Sequence, residues 1–95
     1  MLTKIRAVLA SGAVGARVHV QAWLRSARHS KGVSFFDLSD GSCMAGLQAV
    51  VAHELPNYES ELKALGTGAA LEVEGELVAS PAQGQRVELR AERVA

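Results

Sequence analysis

The sequence predicts a small all-β domain of five strands, with a short helix at the N-terminus and a second between strands three and four. Two observations predict it. Apolar and polar residues alternate in five separate stretches, and a period of two is the signature of a strand with one face buried. Clusters of turn-forming residues punctuate those stretches, at 12–15, Asp40-Gly41, Gly66-Thr67-Gly68 and 80–85. Helical spacing occurs in only two short segments.

Taken in order, residues 3–10 form a short helix, with Thr3 as N-cap, apolar residues at 5, 8 and 9, and a stop at Ser11-Gly12. Strand one covers 17–28. Val18, Val20, Ala22 and Leu24 share one face, while Arg17, His19, Gln21, Trp23 and Arg25 share the other. Residues 26–32 make a polar, basic loop. Strands two (33–39) and three (45–51) form a hairpin around Asp40-Gly41. Its alternation sends Phe36, Leu38, Leu47, Ala49 and Val51 to a core and turns Phe35, Asp37 and Gln48 outward. Residues 56–65 read as the second helix, with Pro56 in the first turn and Tyr58, Leu62 and Leu65 at helical spacing. Strand four (69–79) alternates Leu71, Val73, Gly75 and Leu77 against Glu72, Glu74 and Glu76. Those glutamates read as a solvated face. Strand five (86–94) turns Val87, Leu89 and Ala91 inward and Glu88, Arg90 and Glu92 outward. Five strands with a helix between the third and fourth is the layout of the OB-fold, a Greek-key barrel. Its nucleic-acid face lies across strands two and three and the loops joining strands one to two and four to five.

Ninety-five residues suffice for one domain, taken as 1–95, with one core. The single cysteine, Cys43, permits no internal disulfide; it reads as a small packed side chain, and a reducing, cytoplasmic setting fits best. No apolar run is long enough to span a membrane. The formal net charge is zero, but residues 1–53 carry +4 and residues 54–95 carry −4. A neutral total argues against strong, sequence-blind nucleic-acid binding, which rests on many phosphate contacts. The basic first half leaves room for a local patch.

The chain has no glycine-rich phosphate loop and no nucleophile-elbow motif. His19, His29 and His53 share no short metal spacing. Trp23 reads as a packing residue more than as a stacking platform. By these residues the domain binds and does not catalyse. Phe35 and Gln48 are the residues that suit binding: a ring to stack on a base and a primary amide to read its edge.

A set of motifs carries a resemblance: V-H-V-Q-A-W-L-R (18–25), R-H-S-K-G-V-S-F (28–35), D-G-S-C (40–43), L-Q-A-V (47–50), L-P-N-Y (55–58), V-E-G-E-L-V-A-S-P (73–81) and G-Q-R-V-E-L-R-A (84–91). Together they resemble the N-terminal anticodon-binding domain of the asparaginyl-tRNA synthetases. The pattern of Trp, Arg, Phe and Gln is shared with the aspartyl and lysyl relatives. D-G-S-C, the following L-Q, and L-P-N-Y look asparaginyl.

The resemblance implies an OB-fold that binds the anticodon loop of tRNA(Asn). Phe35 matches the aromatic that stacks on the middle anticodon base, a uridine. Gln48 matches the glutamine that hydrogen-bonds the same base, and Arg28 the arginine that holds it and nearby phosphates. Glu88 aligns with a glutamate that contacts the first base, and residues 80–85 with the loop that helps read the third. Arg25 and Lys31 complete the expected RNA-binding set. Splayed, stacked and edge-read bases are the general mode for RNA loops. The chain departs from the family at Ala22, commonly Gly, at Ala27, commonly Arg, and at His29, commonly Asp. Loss of the arginine removes a phosphate contact, so weak binding by the isolated domain is expected. The class II catalytic domain that uses ATP, magnesium and asparagine has no counterpart here, so the chain reads as one domain of a homodimeric asparagine-tRNA ligase, with no cofactor of its own. Two other readings stand beside this one. One is a free-standing OB-fold for single-stranded nucleic acid, disfavoured by neutral charge and a single outward aromatic. The other is a protein-interaction module anchored by Phe35.

Overall fold

The computed structural model describes residues 4–11, 14–42, 46–58, 62, 65–79 and 87–95. Helix α1 (Ile5–Ser11) is followed by strands β1 (Arg17–His29), β2 (Val33–Ser39), β3 (Leu47–Ala52), β4 (Ala70–Ala79) and β5 (Val87–Val94). The strands close into a barrel in the order β1-β2-β3-β5-β4. Among the described residues only the β3–β5 pair is parallel. Closure leaves no long open edge for another chain to add to.

The alternation read from the sequence fills the barrel. Val20, Leu24, Phe36, Leu38, Leu47, Ala49, Val51, Val73, Leu77 and Leu89 are all essentially inaccessible, and Ile5 and Val8 of α1 join them. Strand β1 runs through His29, one residue past the expected end at 28, so residues 26–29, also read as part of the following loop, belong to the strand. A bulge between Leu24 and Ser26 keeps its later residues in ladder with β2. The expected helix at 56–65 is not seen in the described residues. Residues 53–58 form turns, Leu62 sits in a 3₁₀ turn, and 59–61, 63 and 64 lie outside the described set. Tyr58 and Leu62 are nonetheless buried, as their spacing required.

Two short motifs acquire structural roles. Asp40-Gly41-Ser42 was read as a turn, and Gly41 has the positive φ of 78° that such a turn needs. The same residues also cap α1 from across the fold. Asp40 Oδ2 accepts the Ile5 amide at 2.8 Å, and Ser42 Oγ accepts the Arg6 amide at 3.0 Å. Thr3, the expected cap, lies outside the described residues. Burial works against the Asp40 charge. Hydrogen bonds from the Ser42 hydroxyl and from the Ile5 and Ser42 amides, with the nearby Lys4 charge, outweigh it and hold the carboxyl below its ordinary value. In the second motif, Asn57 Nδ2 donates to the Val94 carbonyl at 2.7 Å, tying the segment after β3 to the end of β5. Tyr58 enters a polar cluster centred on Ser34, a fully buried hydroxyl on the inner face of β2. Ser34 Oγ lies 2.8 Å from His29 Nδ1, 3.0 Å from His53 Nε2 and 3.0 Å from Tyr58 Oη, and the His53 and Tyr58 rings stack. Satisfying that hydroxyl avoids the cost of an unpaired buried group, about 1–3 kcal/mol.

The glutamates of β4 do not simply face water. Glu72 accepts from Gln21, Glu74 from Arg93 and Glu76 from Arg90, so β4 is laced to both neighbours. Each such surface pair contributes at most about 1 kcal/mol. Among the described residues no group of three His, Cys, Asp or Glu is placed to hold a metal.

Candidate nucleic-acid interface

Phe35 and Gln48 sit on adjacent antiparallel strands, on the outer face of the barrel. Phe36 and Ala49, next to them, are sealed in the core. Phe35 and Gln48 are both half-buried, so each shows part of its side chain to solvent.

Two rows of side chains cross this face. In the first, Arg28 on β1 pairs with Phe35 on β2, Phe35 with Val50 on β3, and Val50 with Arg90 on β5. The Arg28 guanidinium lies over the Phe35 ring, 4.7 Å from its centroid, a cation–π contact. In the second, Asp37 pairs with Gln48. Arg25 reaches in to donate Nε and Nη2 to Asp37 Oδ2 at 3.1 and 2.9 Å. On the far side Gln48 Nε2 donates to Glu88 Oε2 at 2.8 Å.

The bulge at Arg25 makes this convergence possible. Positions 25 and 28 have opposite parity, and a regular strand would send them to opposite faces. One extra residue resets the parity, so Arg25 and Arg28 both point outward. Gly46 fits the same arrangement. A Cβ there would overlap Asp37 Oδ1 and crowd Arg25 Nη2, so the ion pair occupies the space that the missing side chain leaves.

Of the expected site residues, Arg25, Arg28, Phe35, Gln48 and Glu88 therefore meet on one surface. Lys31 is exposed in the β1–β2 loop, at 30–32, which turns through Gly32. The loop at 80–85 expected to help with a third base lies outside the described residues, as does Cys43. Asp37 was recognised as outward-facing but not as part of the site. Its place two residues from Phe35 on the same face was the available signal. Glu88, expected outward, is only 8 % exposed and accepts the Gln48 amide. Trp23 departs from its packing assignment. It is 53 % exposed, with its ring edge near Gly41, and it lines an open groove of about 780 Å³ together with Lys4, Gln21, Asp40, Leu71 and Glu72.

Residues 18–95 match the family described as OB-fold nucleic acid binding domain. The chain belongs to this family. Within it, the chain is 50 % identical over all 95 residues to the asparagine–tRNA ligase of Pelobacter propionicus, and 48 % identical over 91 residues to that of Geobacter sulfurreducens. In each case it covers 20 % of the relative's length. The fold superposes on the asparaginyl-tRNA synthetase of Pyrococcus horikoshii with a TM-score of 0.84 at 21 % identity, over the whole of this chain and 22 % of that one. Other members of the same fold include an aspartyl-tRNA synthetase of Entamoeba histolytica, with a TM-score of 0.79 at 18 % identity over 100 % of this chain and 21 % of that one.

Proposed function

We propose that this OB-fold domain reads the anticodon loop of tRNA(Asn) as the anticodon-binding part of an asparagine–tRNA ligase. The observation that carries the reading is the juxtaposition, on one outer face, of a half-buried aromatic ring under a guanidinium and an outward primary amide on the next strand. The likeness to asparagine–tRNA ligases supports it.

In this reading the middle uridine stacks on Phe35 and the Gln48 amide reads its edge. The ring face is taken by Arg28 in the free domain, so the base must replace it. Base–aromatic stacking contributes about 1–3 kcal/mol. An exposed cation–π contact contributes about 0.5–1 kcal/mol. The exchange therefore favours the base, and the displaced guanidinium is left beside it to meet a phosphate. Lys31 supplies a second cation from the loop. Arg25 is held by Asp37 and shapes the wall of the site. Glu88 keeps a second carboxylate oxygen for a guanine N–H at the first base. Ligation of asparagine with ATP and magnesium, and dimerisation, belong in this reading to the parts of such an enzyme beyond the domain, in the cytoplasm.

Titration at low salt of two RNA hairpins carrying an asparagine-type anticodon loop, one with the middle uridine replaced by adenosine, tests this. The expected result is a preference for the uridine loop that Phe35→Ala and Gln48→Glu both abolish with the fold intact. Phe35→Ala should weaken binding by roughly tenfold or more, the scale of one stacked base. Equal binding of both loops would replace the proposal with a general single-strand binder.

A further inference from the structure

We infer that Glu88 is a positioning residue: it fixes which way the Gln48 amide faces and so makes the middle-base reading selective for uridine over cytidine. The inference rests on the anticodon reading proposed above.

The two ends of a primary amide differ only in hydrogen bonding. Nitrogen donates twice, and oxygen only accepts. An unrestrained glutamine can therefore turn over and present either order of donor and acceptor. Uridine and cytidine differ in just this respect on the edge it would read. Uracil presents N3–H as a donor beside carbonyl acceptors. Cytosine presents N3 as an acceptor beside an amino donor. With the base held in one place by stacking on Phe35, the atom of Gln48 opposite N3 decides which pyrimidine fits. Oxygen there suits uridine, and nitrogen there suits cytidine.

Glu88 removes the choice. Its carboxylate can only accept, so the Gln48 group facing it must be the NH2. The contact is 2.8 Å, and the glutamate is 8 % exposed, so water has little room to substitute for it. Turning the amide over would set Oε1 against a carboxylate oxygen, acceptor against acceptor, with Glu88 left unpaired. Both residues are mounted on barrel strands in parallel register, Ala49 opposite Leu89, which brings 48 and 88 side by side. Nε2 keeps a second hydrogen for a uracil carbonyl, and Oε1 is left facing away from Glu88 to accept N3–H. A site that holds its reading group by neighbouring contacts on rigid strands is preorganised for one partner.

The test is a titration of three anticodon-loop hairpins, with uridine, cytidine or adenosine in the middle, against the wild-type chain, Glu88→Asp and Glu88→Gln. Aspartate still only accepts. Glutamine has nearly the same shape but can offer either a donor or an acceptor to Gln48. Wild type is expected to prefer uridine over cytidine by about tenfold, the scale of one two-point base contact. Glu88→Asp should keep that ratio, whatever it loses in affinity. Glu88→Gln should bring the ratio close to one, through tighter binding of the cytidine loop. A purely structural role for Glu88 would weaken both pyrimidine loops together. Glu88→Gln with the wild-type ratio overturns the inference and leaves the anticodon reading in place, as does a wild type that rejects adenosine but takes both pyrimidines equally. No preference among the three loops overturns both. Proton exchange of the Gln48 side-chain amide in the free wild-type chain gives an independent check that needs no variant. One of its two protons should exchange slowly with solvent, and fast exchange of both would overturn the bond on which the inference stands.

Discussion

At the scale of single residues, the chain uses the same few side chains for more than one purpose. Phe35 and Phe36 are neighbours in sequence with opposite fates: one is offered to solvent under a guanidinium, and the other is sealed in the core. Period-two alternation was enough to separate them, because inverting the strand would put Asp37 and Gln48 into an apolar interior. Asp40 was legible only in part. Its turn role follows from Asp-Gly, but its bond to the Ile5 amide joins residues 35 apart in sequence, and no local pattern announces that. The lowered carboxyl value gives it a pH signature. A depressed folded value means that the stabilisation is fully present above the ordinary aspartate range and is lost as pH falls through the folded value. Asp40→Asn, which removes the titrating group and its negative charge at the start of α1 but keeps an acceptor oxygen, should lower stability at neutral pH by about 0.3–1 kcal/mol, the value of an anion at a helix N-terminus. It should also flatten the fall in stability on the acid side. Urea unfolding of both forms at pH 7 and at a series of acidic pH values measures this. An equal acid dependence in the two forms would contradict the assignment.

At the scale of elements, the departures from regular strands are what build the site. The bulge in β1 brings Arg25 and Arg28 to one face. It leaves no mark in the hydrophobic pattern, since Ser26 and Ala27 tolerate either side, and so it could not be read in advance. The strand expected to residue 28 is present, but the loop expected from residue 26 begins only after His29: polar residues outside the core look like loop until their pairing partners are known. A second irregularity sits between Glu74 and Gly75 in the β4–β5 pairing. There a Cβ on residue 75 would overlap the Arg90 carbonyl oxygen, which is backbone and cannot swing aside. Gly→Ala at a compatible site stabilises a protein by about 0.4–1 kcal/mol. At Gly75 the sign should reverse, with Gly75→Ala destabilising by roughly 1–3 kcal/mol, the cost of overpacking. Urea unfolding of the two forms decides it, and a stabilised variant would mean that the strands are not in this contact. In the segment after β3, Tyr58 and Leu62 are buried as helical spacing required, and the described residues 53–58 form turns in which Asn57 and Tyr58 bond to Val94 and Ser34.

At the scale of the whole molecule, a neutral chain groups Arg25, Arg28, Phe35, Gln48 and Glu88 on one side of a closed barrel. The glutamates of β4 bind cations or amides of β1 and β5, so much of the charge is paired within the protein, and the proposed anticodon reading draws its affinity from stacking and edge contacts more than from phosphates. The five-stranded barrel, most of the buried set and the outward Phe35 and Gln48 were legible from alternation and from the number of strands. The neighbours of that pair were not, since Arg25–Asp37 and Gln48–Glu88 depend on strand register across the sheet. Trp23 was read as a packing residue, although its parity with Gln21 and Arg25 already placed it on the outer face, where it is exposed. It now supplies an internal control. The protein has one tryptophan, which pairs with Ser39 at the far end of the β1–β2 ladder from the Arg28–Phe35 pair and lines the groove with Lys4, Asp40 and Leu71. The most direct measurement is therefore an NMR titration of the labelled chain with an asparagine-type anticodon-loop hairpin. It should move the backbone signals of Arg28, Phe35 and Gln48 and the Gln48 side-chain amide, and leave the Trp23 indole N–H unchanged. Shifts centred on the Trp23 indole, with the Phe35 and Gln48 signals still, would show that RNA binds elsewhere on the barrel and would contradict the account.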